Sequence, residues 1–560
     1  MSPLANSGPS RNVGLSVRSE LSYDRRSFVL QLKGILKTLH VSTSNSRLQN
    51  HLLFFENIFC TLGTMAPGAI VPGVSSFRIG QLQAKSILRT SGPSIVDGDG
   101  RRVILKGVGL GGHLNLENFI TGFTGHEHEH REALGAVLGK AKADFYFDRL
   151  LDYFFTERDA EFLASLGLNS IRIPINYRHF EDDMNPGVIK PEGFRLLDRV
   201  IDACAKHGLY VIIDLHTAPG GQNQDWHCDS GITKALFWKF KHFQDRVVNL
   251  WVEIAKHYRG NPTVAGYNPL NEPADPEHTN LVAFYNRIEK AIRSVDPDHM
   301  LFIDGNTYSM DFTHFPEEPL PNAVYACHDY ASYGFPRGGT YTGTAEQKAK
   351  LRSSFERKVK FMRAANVPIY NGEFGPVYAS AEENGMSAQE VNECRIALLR
   401  EQLSVYRESE TDVHWSIWTY KDINYQGMVY TDVTSPYMKL LEPFIQKKKD
   451  LSADFWGSND DKVKHVFEPF FEAIKEWVPK HLHNKKYPSP LWTIERQFER
   501  VIRETLLSEY LGLEMAEYFM DKSEDELDEL AASFKLENCR VRDSLNAVLR
   551  EDAVVLRTKA

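Results

Sequence analysis

The chain carries only six cysteines in 560 residues, at positions 60, 204, 228, 327, 394 and 539, and no Cys-x-x-Cys pair. That is too sparse for a disulfide scaffold and lacks paired metal-ligand spacing, so the thiols are expected to stay reduced. Positive charge is not in surplus either. The 65 Lys and Arg stand against 74 Asp and Glu, giving a net charge of -9 and a sequence pI of about 6.1, the opposite of a nucleic-acid footprint. No long apolar run is uninterrupted: the strongest, over residues 51–73, is broken by Glu56, Pro67 and Pro72 and makes a poor membrane span. The first twenty residues lack the apolar core of a secretory signal, and no Asn-x-Ser/Thr acceptor with x other than Pro occurs. A cytoplasmic protein is therefore expected. Residues 1–50, with seven Lys/Arg, two Asp/Glu and ten Ser, have a transit-peptide composition. A disordered or non-core leader over residues 1–85 is nonetheless preferred to mitochondrial import.

What is present is globular: 42% hydrophobic, 11% aromatic and 25% charged residues supply a core. From Ser86 onward, SILRTSGPSIVDGDGRRVILKGV pairs short β-branched runs around Asp97-Gly98-Asp99-Gly100, a hairpin signal. Strands are then expected at residues 103–109, 170–175, 209–215, 264–268, 300–304, 323–328, 367–372 and 413–418. Amphipathic helices are expected between most of them, at 148–166, 193–207, 237–258, 281–295, 346–365 and 388–406, with 463–478 as the closing helix. Eight strands with helical spacers predict a (β/α)8 TIM barrel over residues 86–480. Pro488 and Pro490 then punctuate the chain, and residues 481–560 read as a helical extension, a small bundle packed on the barrel.

Such barrels carry their chemistry at the C-terminal ends of the strands. The fourth strand runs VAGYNPLNEP and ends at Asn271 and Glu272; the seventh runs VPIYNGEFG and ends at Glu373. Either glutamate alone could be a surface charge. Two carboxylates facing one another across the mouth are what glycoside hydrolysis requires, one to donate a proton and one to act as nucleophile or base. His216 in VIIDLH and His328 in ACHDY end strands in the same way and are aimed at the same pocket. Trp418 in HWSIWTYK offers a flat face on which a pyranose can stack.

The NEP and GEFG segments and their strand positions resemble glycoside hydrolase family 5, among the retaining barrel hydrolases with catalytic glutamates on strands 4 and 7. The likeness covers about residues 86–480, and Arg172 in SIRIPI and Tyr330 in ACHDY match in family order. The resemblance implies Glu272 as acid/base, Glu373 as nucleophile, and Asn271 as donor to the sugar 2-hydroxyl. Arg172 and Tyr330 would bear on Glu373, the arginine keeping it ionised, while less compensated burial would hold Glu272 protonated. The first strand, VILKGVGLGGHLNLENF, resembles fungal exo-β-1,3-glucanases of that family, in which the residue matching Glu117 helps close a pocket for a terminal sugar. The chain departs from them at His113 and Tyr420, where tryptophans are usual, which bears on glucan specificity. Asn223 and Trp226, in TAPGGQNQDWHCDSG, would line the pocket rim.

Three other patterns are set aside. Gly107 to Gly112 satisfies G-x-G-x-x-G, but no long helix is expected after it, so no dinucleotide fold is read. His126, His128 and His130 in GHEHEHRE could suggest a metal; a solvated loop bordering the sugar site is expected instead, and no metal or other cofactor is called for. Cys327 and His328, as strand neighbours, point to opposite faces and form no nucleophile-base pair. The sequence thus predicts a retaining, exo-acting hydrolase of β-linked glucosides or glucans. An endo-β-glucanase, with a cleft open at both ends and Glu117 away from the sugar, is the alternative, and a non-catalytic carbohydrate-binding scaffold is the rival from another class.

Overall fold

The computed structural model describes residues 86–453, 456, 460–483 and 493–555. The leader at 1–85 and the apolar run at 51–73 lie outside the described residues. A strand pair, Arg89–Ser91 with Ser94–Val96, opens the fold. The Asp97-Gly98-Asp99-Gly100 turn follows, closed by Asp97 N–H to the Arg101 carbonyl at 2.9 Å.

Eight parallel strands then form a closed barrel. They are β1 (Lys106–Gly109), β2 (Ser170–Asn176), β3 (Tyr210–Thr217), β4 (Val264–Asn268), β5 (Met300–Asp304), β6 (Ala323–His328), β7 (Ile369–Glu373) and β8 (Val413–Ile417). Each pairs with its sequence neighbours and β8 pairs with β1, so the expected (β/α)8 barrel is the fold. The strands are short and buried almost throughout, the pattern of a parallel sheet covered on both faces. Among the described residues no helix is long and apolar enough to cross a membrane.

The departures have local causes. β1 starts at Lys106 rather than Val103, because Val103 donates to Ile95 and belongs to the N-terminal hairpin. The helix expected over 148–166 is two helices, Lys140–Phe154 and Glu157–Ser165. Thr156 breaks it: its N–H and hydroxyl bond Asp159 in a capping box that starts the second helix. The helix following β8 is Pro436–Leu451, not 463–478; Ser435 caps it and Pro436 occupies its first turn. The helix Lys464–Trp477 lies later and pairs with Ile494–Glu499 through Phe471 on Phe498 and Lys475 to Glu495.

The C-terminal residues are built into the barrel. Strand Cys539–Val541 pairs antiparallel with Val429–Thr431, and Phe534 packs on Phe154 and Tyr437. The ammonium of Lys106, at the start of β1, is buried and bonds both the carboxylate and the carbonyl of Asp552 in the last helix. Arg407 bonds the second carboxylate oxygen at 2.6 Å. Removing one partner of such a pair strands a buried charge, at a cost of about 3–5 kcal/mol. Asp552→Ala is therefore expected to destabilise the whole barrel by about 3 kcal/mol and to lower the thermal midpoint in calorimetry. An unchanged midpoint would mean that the extension is energetically separate.

Candidate active site

Strand register assembles the site. Arg172 stands opposite Gly109 on one side and Ile212 on the other, and His328 pairs with Glu373 across β6 and β7. All nine residues expected from the sequence, Glu117, Arg172, His216, Asn271, Glu272, His328, Tyr330, Glu373 and Trp418, converge at the C-terminal end of the barrel. Seven of them line one cavity of about 410 Å³, while Arg172 and Asn271 lie just beneath it.

Glu373 is buried and accepts from Arg172 Nη1 at 2.7 Å and from the Tyr330 hydroxyl at 2.9 Å. Burial pushes its carboxyl up, but the His328, Arg172 and His216 charges outweigh it and hold the group at about 2. It is a carboxylate at any working pH. Burial likewise keeps the Tyr330 phenol neutral, well above its ordinary range, so it can donate. Arg172 is fully buried and also bonds Asn271 Oδ1 at 2.6 Å, Asn268 Oδ1 at 3.1 and 3.2 Å, and Asp214 at 3.1 Å. With its oxygen fixed, the Asn271 amide must present its NH2 to the cavity side, where it faces His216 Nε2 at 3.3 Å.

Glu272 is reached by different groups. Its side chain meets His328 Nδ1 at 2.6 Å and His227 Nε2 at 3.6 Å. Its backbone is left-handed, φ 47°, ahead of Pro273. Two bonds hold that strained turn, from its N–H to Asp304 at 3.0 Å and from the Asn223 amide to its carbonyl at 2.9 Å. One carboxylate oxygen of Glu272 lies within 4.8 Å of one of Glu373, with His328 Nδ1 within the same distance of both. These three side chains are also the group with converging metal-type donor atoms among the described residues.

The far end of the cavity is polar and closed. His216 is clasped between Asp214 at 2.8 Å and Glu117 at 3.5 Å, and lies flat on Trp418, ring centroids 5.4 Å apart. Burial pulls the imidazole down, but the two carboxylates raise it to about 10, so it is a cation. Glu117 is pushed up by its burial, against the His216 charge. Trp418 lies over β1 and the loop after it, and this accounts for the glycine run there. A Cβ at Gly109 or Gly111 would come within 2.5 or 2.6 Å of the indole, and one at Gly107 within 2.0 Å of the Ser170 carbonyl. The run serves packing.

Of the rim residues, Trp226 lines the cavity, whereas Asn223 lies behind it and bonds His227 and Glu272. His113 and Tyr420, the two departures, do not reach the cavity: His113 faces the Leu151 carbonyl and Tyr420 donates to buried Asp159. The solvated loop expected at 126–130 is instead the start of a helix, Glu127–Leu138. His126, His128 and His130 separate to Glu129, Asp229 and the Phe123 ring, because helical spacing fans them apart. Sequence reasoning missed His227, Asp214, Asn268 and Asp304. Asp214 was findable, since it precedes His216 by two and so shares its face in a strand. Asn268 and Asp304 were findable too, each being the polar residue that ends an apolar strand, whereas His227 carries no such pattern.

Among known proteins, the cellulase family (glycosyl hydrolase family 5) matches residues 150–424. A protein of Phanerodontia chrysosporium named beta-xylosidase is 52% identical over 469 residues, covering 83% of this chain and 98% of that one. A probable glucan 1,3-beta-glucosidase A of Aspergillus clavatus is 28% identical over 353 residues, 57% of this chain and 83% of its own. A solved glycoside hydrolase structure, 18% identical, covers 57% of this chain and 90% of its own with a TM-score of 0.42.

The Arg172 charge is one of those that hold Glu373 ionised, so its loss must make that carboxylate easier to protonate. Arg172→Gln is expected to move the acidic limb of kcat/KM upward by about 1–3 pH units, measured on a soluble aryl β-glycoside. An unmoved limb would show that Arg172 acts on geometry alone.

Proposed function

Because the chain belongs to glycoside hydrolase family 5 and acts on O-glycosyl bonds, we propose that it is a retaining, exo-acting β-glycosidase that removes one terminal pyranose at a time. The observation that carries the exo reading is the closed end of the cavity, where Glu117, His216 and Trp418 meet beyond the catalytic pair. An endo enzyme needs room for sugars on that side.

The carboxylate separation supports retention. Double displacement works with carboxyl groups about 5–5.5 Å apart, whereas inversion needs about 6.5–9.5 Å to admit a water; the nearest oxygens here are within 4.8 Å. Glu373 attacks the anomeric carbon as the glycosidic C–O bond breaks, and Glu272 gives its proton to the departing alcohol. Glu272, now a carboxylate, takes a proton from the water that attacks the glycosyl ester. The sugar leaves, Glu373 is again a carboxylate and Glu272 again an acid. Asn271, its oxygen locked by Arg172, donates to the sugar 2-hydroxyl, and the Tyr330 proton shares charge with Glu373 until it reacts.

Two terminal sugars have support. The 52% identity to a protein named beta-xylosidase favours xylose, while the first-strand resemblance to exo-glucanases favours glucose. Aryl β-xyloside and β-glucoside are therefore to be compared directly, with kcat/KM differing by about ten-fold or more, the scale of a few buried contacts. Glu373→Ala is expected to abolish turnover of both, and azide to restore it with an α-glycosyl azide as product. An active Glu373→Ala protein without azide, or a first product of inverted configuration from the native enzyme, would overturn the retaining reading.

A further inference from the structure

The cavity changes character along its length. Its floor holds Glu117, His216 and Glu373, all buried, while its outer wall is formed by Met310, Phe335, Pro336 and Trp456 with Tyr308 beneath. In the reaction above, Glu272 protonates the departing oxygen, so the leaving group lies on the outer side. Trp456 comes from beyond the helix that follows β8, outside the eight-fold repeat. Its indole N–H is already given to Gln426 at 2.5 Å, and Gln426 in turn donates to the Gly375 carbonyl at 3.1 Å, just past Glu373. The ring edges onto Tyr330 and Phe335, centroids 5.1 and 4.9 Å away, and tilts against Phe119 at 5.8 Å. It therefore offers the cavity carbon surface and no donor.

Three charged side chains of this lining are also engaged. Asp225 is paired with Arg500, Arg337 with Asp460 at 3.5 Å, and Lys358 with Asp329 at 2.7 Å. Apart from the buried Trp226 indole N–H, which has no hydrogen-bond partner among the described residues, this wall is largely carbon, and a second sugar would lose water from most of its hydroxyls there without replacement, which is costly. An alkyl or aryl alcohol would instead bury carbon against carbon.

We propose that the segment after the barrel completes an apolar leaving-group subsite, with Trp456, Phe335 and Met310 as its walls, and that the natural substrate is a glycoside of a hydrophobic alcohol rather than an oligosaccharide. This rests on the exo β-glycosidase reading, and the two can fail separately.

The test is a series of methyl, butyl, hexyl and octyl β-glycosides of both xylose and glucose, set beside xylobiose and cellobiose. The expected result is a kcat/KM that rises about two- to four-fold per added methylene until the wall is filled, with the octyl glycoside far ahead of the disaccharide. Trp456→Ala is expected to lower the octyl-to-methyl ratio at least ten-fold. Met310→Gln, which keeps volume and adds polarity, is expected to lower the same ratio in a protein with native thermal stability. A disaccharide preferred over the octyl glycoside, or a ratio unaltered in both variants, would overturn the subsite while leaving the glycosidase reading intact. No turnover of any glycoside by the native protein would overturn both.

Discussion

Burying the Arg172 guanidinium inside the barrel removes a full charge from water, a loss of several kcal/mol, and the molecule offsets it with acceptors that are themselves the reactive centre. The fork reaches Glu373, Asn271, Asn268 and Asp214 at once. Each acceptor gains something from the arrangement. Glu373 stays ionised where burial alone would protonate it, and Asn271 is oriented so that its NH2 faces the cavity side. Asn268 passes the order on, since its own NH2 donates to Asp304 at 3.0 Å, and Asp304 accepts the Glu272 N–H. One cation thus fixes Glu373, the proposed nucleophile, directly and Glu272, the proposed acid/base, through two intermediates.

The two glutamates are alike in chemistry and sit on equivalent strand ends, so their roles must come from their surroundings. Glu373 faces a permanent cation and a neutral phenol. Glu272 faces two imidazoles, His328 and His227, of which burial and the His216 charge hold His227 well below its ordinary range. His328 stands between the pair, 2.6 Å from one and 3.7 Å from the other. Its protonation is raised by the three carboxylates around it against the effect of burial. It is placed to follow the charge as it moves between the glutamates during the cycle.

The C-terminal residues matter to the same site from outside. The last helix clamps the start of β1 through Asp552, and the strand Cys539–Val541 locks the loop after β8 through Val429–Thr431. The segment between them and the barrel supplies Trp456 and the Arg500 partner of Asp225. Stability and cavity shape therefore come from one stretch of chain. The repeating barrel positions the reacting atoms, and a non-repeating addition decides what else can stand beside them.

The sequence by itself determined the barrel and the nine residues that meet at its mouth. Strand period, helical spacing and the rule that chemistry gathers at strand ends are local properties, readable wherever an apolar run ends in a polar residue. It even held Asp214, two positions before His216 and therefore on the same face. Three things were settled only in space. Gly109 and Gly111, in and just after the first strand, are demanded by an indole some 300 residues away in sequence. The histidines at 126, 128 and 130 fan apart because the segment is helical. His227 and Trp456 reach the cavity from loops whose paths depend on what they pack against. Periodicity reports which face of an element is buried; it carries no information on which distant element does the burying, and at this site that decides both charge and shape.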